Sequence, residues 1–401
     1  MPRKASEPPT WQAPPGHETI TLHLKLITPM FGGGYETRHV DEVMPIRPAA
    51  IRGHLRFWWR ATAGANYNTP QELFRAEEAI WGSMEKPGKV RIHVLDATCG
   101  VPVVWARFEK NPKNPDKYKG LATQLKHQWP RYALEIAPDT AIEAGTLTLR
   151  LRLPHGLQAE VLATLAAWVC YGGIGARTRR GCGSLTVIGN TGPGLPEPQS
   201  PSHANGLLTT ISGMRRVLGP ETSDPIVAWK QAVDVYAAFR QMRYPGHPPM
   251  PGRSKWPEPD SIRRIENSGP YTHTPKHAVR IGFPRADLGL PIVFHFKDSG
   301  DPNEHTLQAA KERRTRLASP VITKAIAMPN GKYRPLVAVL NAPHAWALGP
   351  LDLEGTKVDK ERIELTPTER SACEPLKGRD VRSALLEHAQ MKWSSKIEVL
   401  P

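Results

Sequence analysis

Residues 145–153, GTLTLRLRL, alternate apolar and polar side chains without a break. That is the period of a strand with one buried face. Ile20 to Thr28 (ITLHLKLIT) and Lys89 to Leu95 (KVRIHVL) follow the same rule, and Ser184 to Ile188 reads as a shorter strand. Two segments carry helical spacing instead. Pro48 suits the first turn of a helix running to about Thr62, and Leu157 to Tyr171 makes a second helix. The order strand–helix–strand–strand–helix–strand predicts an α+β domain over residues 18–190. This is the split βαβ, ferredoxin-like or RRM-like arrangement of four antiparallel strands under two helices. Common RNA-binding modules share that architecture. The polar stretch from Asn111 to Gln128 reads as a surface insertion.

Residues 191–206, rich in Pro, Gly and Ser, read as a linker. Beyond it the pattern is weaker. Strands are expected at Leu207–Ser212, Ala278–Phe283, Ile292–Lys297 and Leu336–Asn341, and helices at Pro225–Met242 and Thr306–Ala318. These predict a second ferredoxin-like domain over 207–345, degenerate and carrying insertions. Residues 346–401 are expected to be a charged tail with a short helix from Arg379 to Met391, and residues 1–17 a disordered, proline-rich lead-in. A length of 401 residues accommodates two such domains.

Charge narrows the class of partner. With 53 basic and 38 acidic residues the chain carries a formal charge of +15, which favours a polyanion such as nucleic acid. A membrane surface is the competing polyanion. However, the sequence shows no basic amphipathic anchor, lipidation motif or apolar run of spanning length. The four cysteines, at 99, 170, 182 and 373, have no paired metal-ligand spacing, and so few suit a reducing cytoplasm.

The densest chemical signal is Gly172–Gly183, GGIGARTRRGCG, with five glycines, three arginines and no acidic residue. Gly173, Gly175, Gly181 and Gly183 allow close backbone approach, and Arg177, Arg179 and Arg180 supply planar cationic forks for phosphate. The plainer reading is a tight turn with solvated arginines. A second cluster, Arg47 to Arg60 (RPAAIRGHLRFWWR), puts Arg52, Arg56 and Arg60 on one helical stripe, with no Asp or Glu between Val43 and Gln71. Such a stripe predicts an anion that neutralises it. Trp58 or Trp59 is a candidate for stacking on a base, and His54 lies on or beside the track. The loop from Gly32 through Gly33 and Gly34 to Tyr35 is expected to border the same groove. Met242 to Trp256, with Arg243, Arg253 and Trp256, and then Arg263 and Arg264, reads as either an RNA or subunit contact or a packed loop.

With TPMFGGG at 28–34, IRPAAIRGHLRFWWR at 46–60 and the glycine–arginine segment before the last strand, the chain resembles RAMP proteins of CRISPR systems. More narrowly, it is similar to the first RAMP subunit of the Cmr (type III-B) effector complex. YPG at 244–246, PGRSKWPEPD at 251–260, FPRADLGLPI at 283–292 and RLASP at 316–320 agree with that likeness, which extends over about residues 18 to 345. It implies two ferredoxin-like domains and a place at the end of a ribonucleoprotein filament. There the subunit would hold the 3′ part of a guide RNA (crRNA) and the 5′ part of a single-stranded target RNA, beside other RAMP subunits. It implies no catalytic residue, no cofactor and no membrane partner.

Two other function classes stay open. A metal-independent endoribonuclease of the guide-processing type needs a general base and a cation, which His54 between Arg52 and Arg56 could supply. A purely structural assembly subunit would meet RNA only inside its complex. No Walker or HExxH motif is present. His273 and His277 lie four apart, but Pro275 between them breaks the helix that would align them on a metal.

Overall fold

The computed structural model describes residues 15–32, 39–112, 114–134, 140–191, 211, 213–247, 252–266, 273–296, 300–310, 316–354 and 356–400. The chain divides into two compact units. Unit 1 comprises 1–104, 139–176 and 183–211; unit 2 comprises 105–138, 177–182 and 212–401. The expected strand at 207–212 and the 1–17 lead-in lie largely outside the described residues.

Unit 1 is built on the alternating segments. β1 (His17–Leu26), β3 (Arg91–Cys99), β8 (Gly145–Pro154) and β9 (Leu185–Thr191) form one antiparallel sheet in the order β3-β8-β1-β9. Ile20, Leu22 and Leu24 of β1 and Leu147, Leu149, Leu151 and Leu153 of β8 are buried. They pair in register, Ile20 with Leu151 and Leu22 with Leu149. Helices α1 (Pro48–Ala61) and α4 (Gln158–Tyr171) pack on each other and add Ile51, Leu55, Trp59, Leu165 and Trp168 to the buried set. Each such leucine contributes about 1.5–3 kcal/mol through apolar burial. Short strands β2 (Met30–Phe31), β4 (Val103–Val104) and β7 (Thr140–Ile142) form a separate small sheet in the order β2-β7-β4.

Helix α2 (Pro70–Trp81) lies where the hydrophobic spacing predicts no element. Its signal is nonetheless present in the sequence: Thr69 caps the first turn by accepting from the Glu72 amide, and Pro70 sits at the first helical position. The region expected as an insertion is a hairpin of unit 2, β5 (Ala106–Asn111) with β6 (Asn114–Gln124), followed by a single turn, α3 (Arg131–Leu134).

Unit 2 repeats the connectivity of unit 1. β10 (Arg215–Leu218), β13 (Val321–Ala327), β14 (Tyr333–Val339) and β17 (Ile397–Val399) make a sheet in the order β13-β14-β10-β17. Helix α5 (Pro225–Arg240) follows its first strand, and α9 (Val381–Trp393) follows its third strand in chain order. Both units thus place the second, third, first and fourth strands side by side. A second sheet, β11 (Ile292–Phe294), β12 (His305–Ala309), β15 (Leu351–Leu353) and β16 (Thr356–Val358), joins a separate apolar cluster that includes Ile262 of α6 (Glu258–Glu266). The short helices α7 (Lys360–Ile363) and α8 (Pro367–Ala372) precede α9.

Three expectations for this half are corrected. Residues 346–401 are not a tail, since α9 supplies Leu385 and Leu386 to the main core and β17 pairs with β10. The sequence pattern hides this because α9 has almost no apolar stripe and is buried along much of its surface. Residues 278–283 form no strand, and 278–281 are bends. The segment from Thr306 opens as strand β12 rather than a helix, because its apolar positions meet β11 and β15.

The role of α9 is directly testable. Replacing fully buried Leu385 with Ala should lower unfolding stability by about 2–5 kcal/mol, measured by denaturant titration. Removing residues 379–401 should abolish cooperative folding of unit 2.

Candidate nucleic-acid interface

In unit 1 the two glycine-containing motifs meet. The Gly183 amide donates to the Pro29 carbonyl at 2.8 Å, and the Ser184 amide donates to Thr28 Oγ1 at 2.8 Å. The Ala176 amide donates to the Phe31 carbonyl, and that of Ile174 to the Gly183 carbonyl. Gly175 and Gly183 both hold positive φ, +84° and +63°. A Cβ at Gly175 would collide with the Phe31 carbonyl, and one at Gly183 with the Ile174 carbonyl. The need for glycine at these two positions is therefore met within the protein's own chain. Gly173 is buried, and its carbonyl accepts from the Trp168 indole at 3.0 Å. Gly32 is described, whereas Gly33, Gly34 and Tyr35 lie outside the described residues.

Residues 177–182 belong to unit 2. Arg177 adopts a left-handed conformation, φ 57°, and opens a single 3-10 turn, Thr178–Arg180, that ends at Gly181, φ 80°. All three arginines are half-buried. Arg179 donates to the Ser319 carbonyl at 2.6 Å and Arg180 to the Val321 carbonyl at 2.9 Å. Arg180 also lies over the Tyr236 ring and donates to its hydroxyl, as Arg240 does at 3.0 Å. Burial raises the Tyr236 phenol, but the Arg180 and Arg240 charges outweigh it and bring it down to about 8. Burial, then the Arg180 charge, lowers Arg179 from the ordinary arginine value.

The arginine stripe of α1 is only partly as expected. Glu77 of α2 is buried between Arg56 and Arg60. Arg60 binds it through two nitrogens at 2.6 Å, and Arg56 Nε donates to it as well. Two of the three charges are thus neutralised by a carboxylate seventeen and twenty-one residues downstream. A search confined to the helix could not find it. Arg52 is exposed, and among the described residues no carboxylate pairs with it. Arg47 is the exposed N-cap residue. His54 is half-buried, and burial lowers its pKa from the ordinary histidine value.

Both stacking candidates on α1 are core residues. Trp59 is fully buried, with its indole donating to Glu160 at 3.0 Å, and Trp58 is 4 % exposed. Neither presents a face for a base. Gly53 carries no signal of its own in the sequence. It is exposed in the middle of α1, and a Cβ there would meet nothing within 4 Å. Glycine in a helix interior costs about 1 kcal/mol relative to Ala, and among the described residues no packing requires it here.

The loop residues of unit 2 are largely structural. Trp256 is fully buried on Phe239 and donates to its carbonyl. Arg253 and Arg263 share Asp260, and Arg263 also binds Asp301. Burial raises the Asp260 carboxyl, but His277, the backbone amides of Lys276 and His277, and Arg253 hold it far below the usual range. Arg264 donates to the Val279, Arg280 and His277 carbonyls. RNA contact by Trp256, Arg263 and Arg264 is therefore replaced by internal packing, while Arg243 remains exposed. His273 and His277 face Asp301 and Asp260. Among the described residues no group of three or more His, Cys, Asp or Glu is placed to hold a metal, and no helix is long and apolar enough to cross a membrane.

The Glu77 arrangement predicts a pH signature. Burial raises its carboxyl, but the Arg60 and Arg56 hydrogen bonds and charges more than offset this and lower it below the usual value. Its stabilisation is therefore complete above the ordinary carboxylate pKa and is lost as pH falls through the lowered folded value. Replacing both Arg56 and Arg60 with Ala leaves a buried carboxylate unpaired. The loss should reach about 3–5 kcal/mol at neutral pH and shrink in acid, as read by urea unfolding at several pH values.

Residues 23–186, most of the first folded unit, match the family model of the RAMP superfamily. The chain is 25% identical over 194 residues to the Cmr subunit Cmr1-1 of Pyrococcus furiosus, covering 45% of this chain and 51% of that protein. It is 26% identical over 189 residues to Cmr1-2 of the same organism, covering 41% and 92%. The chain thus spans about half the length of the first of these relatives. The crystal structure of apo Cmr1 from Pyrococcus furiosus aligns with 94% of this chain and 98% of its own, at 16% identity and a TM-score of 0.46. Over residues 23–186 the chain matches the RAMP-superfamily model, and it is similar to the Cmr subunits Cmr1-1 and Cmr1-2.

Proposed function

We propose that this protein is a non-catalytic RNA-binding subunit of a cytoplasmic type III-B CRISPR effector. It holds the 3′ part of the guide RNA and the 5′ part of a target RNA at one end of the filament, beside other RAMP subunits, in antiviral defence. Each unit is read as a ferredoxin-like fold, a reading supported by their shared strand order. The observation that carries the proposal is the segment Arg177–Arg180. It sets three clustered arginines on a tight 3-10 turn flanked by left-handed residues, within the RAMP-superfamily match. Exposed Arg52 and Gly53 on α1 offer a second approach, where a missing side chain lets a sugar–phosphate backbone come close to the helix. In this reading guide–target pairing supplies sequence information, and the protein grips backbone.

Labelled single-stranded RNA titrated with the whole chain at two salt concentrations tests this reading, with the same samples run on a denaturing gel with and without EDTA. Salt-sensitive binding of intact RNA is the expected result. Cleavage that survives EDTA would transfer the assignment to an endoribonuclease centred on His54. Arg177→Ala with Arg180→Ala should reduce the logarithmic salt slope by about 0.7 for each phosphate that the variant no longer neutralises. Because Arg180 also holds Tyr236, the melting temperature of that variant must be recorded beside its affinity. Gly53→Ala should stabilise the fold by about 0.5–1 kcal/mol and yet weaken RNA binding. A gain in stability with unchanged affinity would remove α1 from the interface.

A further inference from the structure

Within unit 2, two arginines converge on one uncharged oxygen. Nη2 of Arg180 donates to the Tyr236 hydroxyl at 3.2 Å, and Nη1 of Arg240, the last residue of α5, donates to the same atom at 3.0 Å. Arg56 and Arg60 of unit 1 converge in the same way, but on the carboxylate of Glu77. With a neutral acceptor, the repulsion between the two guanidiniums is not offset where they meet. Among the described residues neither Arg180 nor Arg240 has a carboxylate within ion-pair distance. Arg180 otherwise donates to the Val321 and Arg179 carbonyls, and the Arg240 side chain donates to Tyr236 alone. Arg240 thus uses one of its five side-chain donors.

The surroundings favour an added anion. Tyr132 of α3 packs edge-on against Tyr236, with ring centroids 6.0 Å apart, and among the described residues its hydroxyl makes no hydrogen bond. Arg285 donates to the Arg240 carbonyl and pairs with fully buried Glu258, a carboxylate that also acts on Arg240. Within this group three cations are matched by one carboxylate. Tyr132, Arg180 and Arg240 are half-buried and Tyr236 is fully buried, so the cluster is screened from bulk water without being sealed. Burial raises the Tyr236 phenol, yet the Arg180 and Arg240 charges bring it down to about 8. A field that favours a charged oxygen on a fully buried side chain also favours an anion brought in from outside.

We infer that Arg180, Arg240 and the Tyr132 hydroxyl bind a single phosphate group, which supplies here the charge that Glu77 supplies to the arginines of unit 1. The inference rests on the RNA-binding reading above and deepens it, adding Arg240 and Tyr132 to the residues that hold the backbone.

The test uses the full chain. Labelled mixed-sequence single-stranded RNA is titrated at several salt concentrations, and thermal unfolding is recorded with inorganic phosphate and with chloride at matched ionic strength. Arg240→Gln removes one charge and should bind RNA about tenfold more weakly at about 0.1 M salt, with a logarithmic salt slope lower by about 0.7. Tyr132→Phe keeps the ring against Tyr236 and should lose about fivefold, with the slope unchanged. It keeps the test available if Arg240→Gln fails to fold. Wild-type affinity in both variants would overturn this inference, and the proposed function stands if Arg177→Ala still weakens binding. A wild-type chain that binds no RNA and gains no thermal stability from phosphate would overturn both together. A wild-type chain that binds no RNA but is stabilised by phosphate, an effect lost in Arg240→Gln, would keep the site, assign it to a free phosphate compound and remove the proposed function.

Discussion

The structure of unit 1 depends on the register between β1 and β8. Side chains in a strand alternate between two faces, so pairing Ile20 with Leu151 and Leu22 with Leu149 decides the fate of every neighbour. One set of positions forms the core with α1 and α4. The alternate set must carry everything that cannot be buried. A slip of one residue would send Arg150 and Arg152 into the core and bring four leucines to the surface. The core and the outer face of the sheet are thus two consequences of one pairing.

The same logic separates charges that hold the fold together from charges left for a ligand. Arg56 and Arg60 look like a ligand-binding stripe when α1 is considered alone. Glu77 arrives from α2, buried and ionised, and converts both into structural groups. Arg253, Arg263 and Arg264 are similarly consumed by Asp260, Asp301 and backbone carbonyls. Arg52, by contrast, is exposed and has no carboxylate partner among the described residues. Net charge is therefore a guide to the class of partner but not to the contact residues.

The second unit shows how repeated connectivity can survive without repeated pattern. Its four-strand sheet follows the order seen in unit 1, yet its first and last strands span only four and three residues. Its second and third strands are separated from the first by a long stretch that supplies two strands of another sheet. Short, fully buried strands show little alternation, and interposed segments stretch the spacing, so periodicity cannot reveal the repeat.

The sequence determined the elements whose physics is local. The alternating strands and the proline-started α1 of unit 1 are readable because one face of each is buried. The glycine–arginine segment is legible as a special loop because few other structures need that composition. Tertiary structure decided the rest. It assigned the glycines of that loop to close packing within the chain, buried Trp58, Trp59 and Trp256, and supplied Glu77 to the arginines. It also placed α9 and β17 in the core of unit 2, where the charge pattern suggests a tail. Each of these outcomes depends on which distant residue arrives beside a given side chain. Composition and spacing describe neighbours along the chain, whereas burial, ion pairing and access to a ligand are settled by neighbours in space.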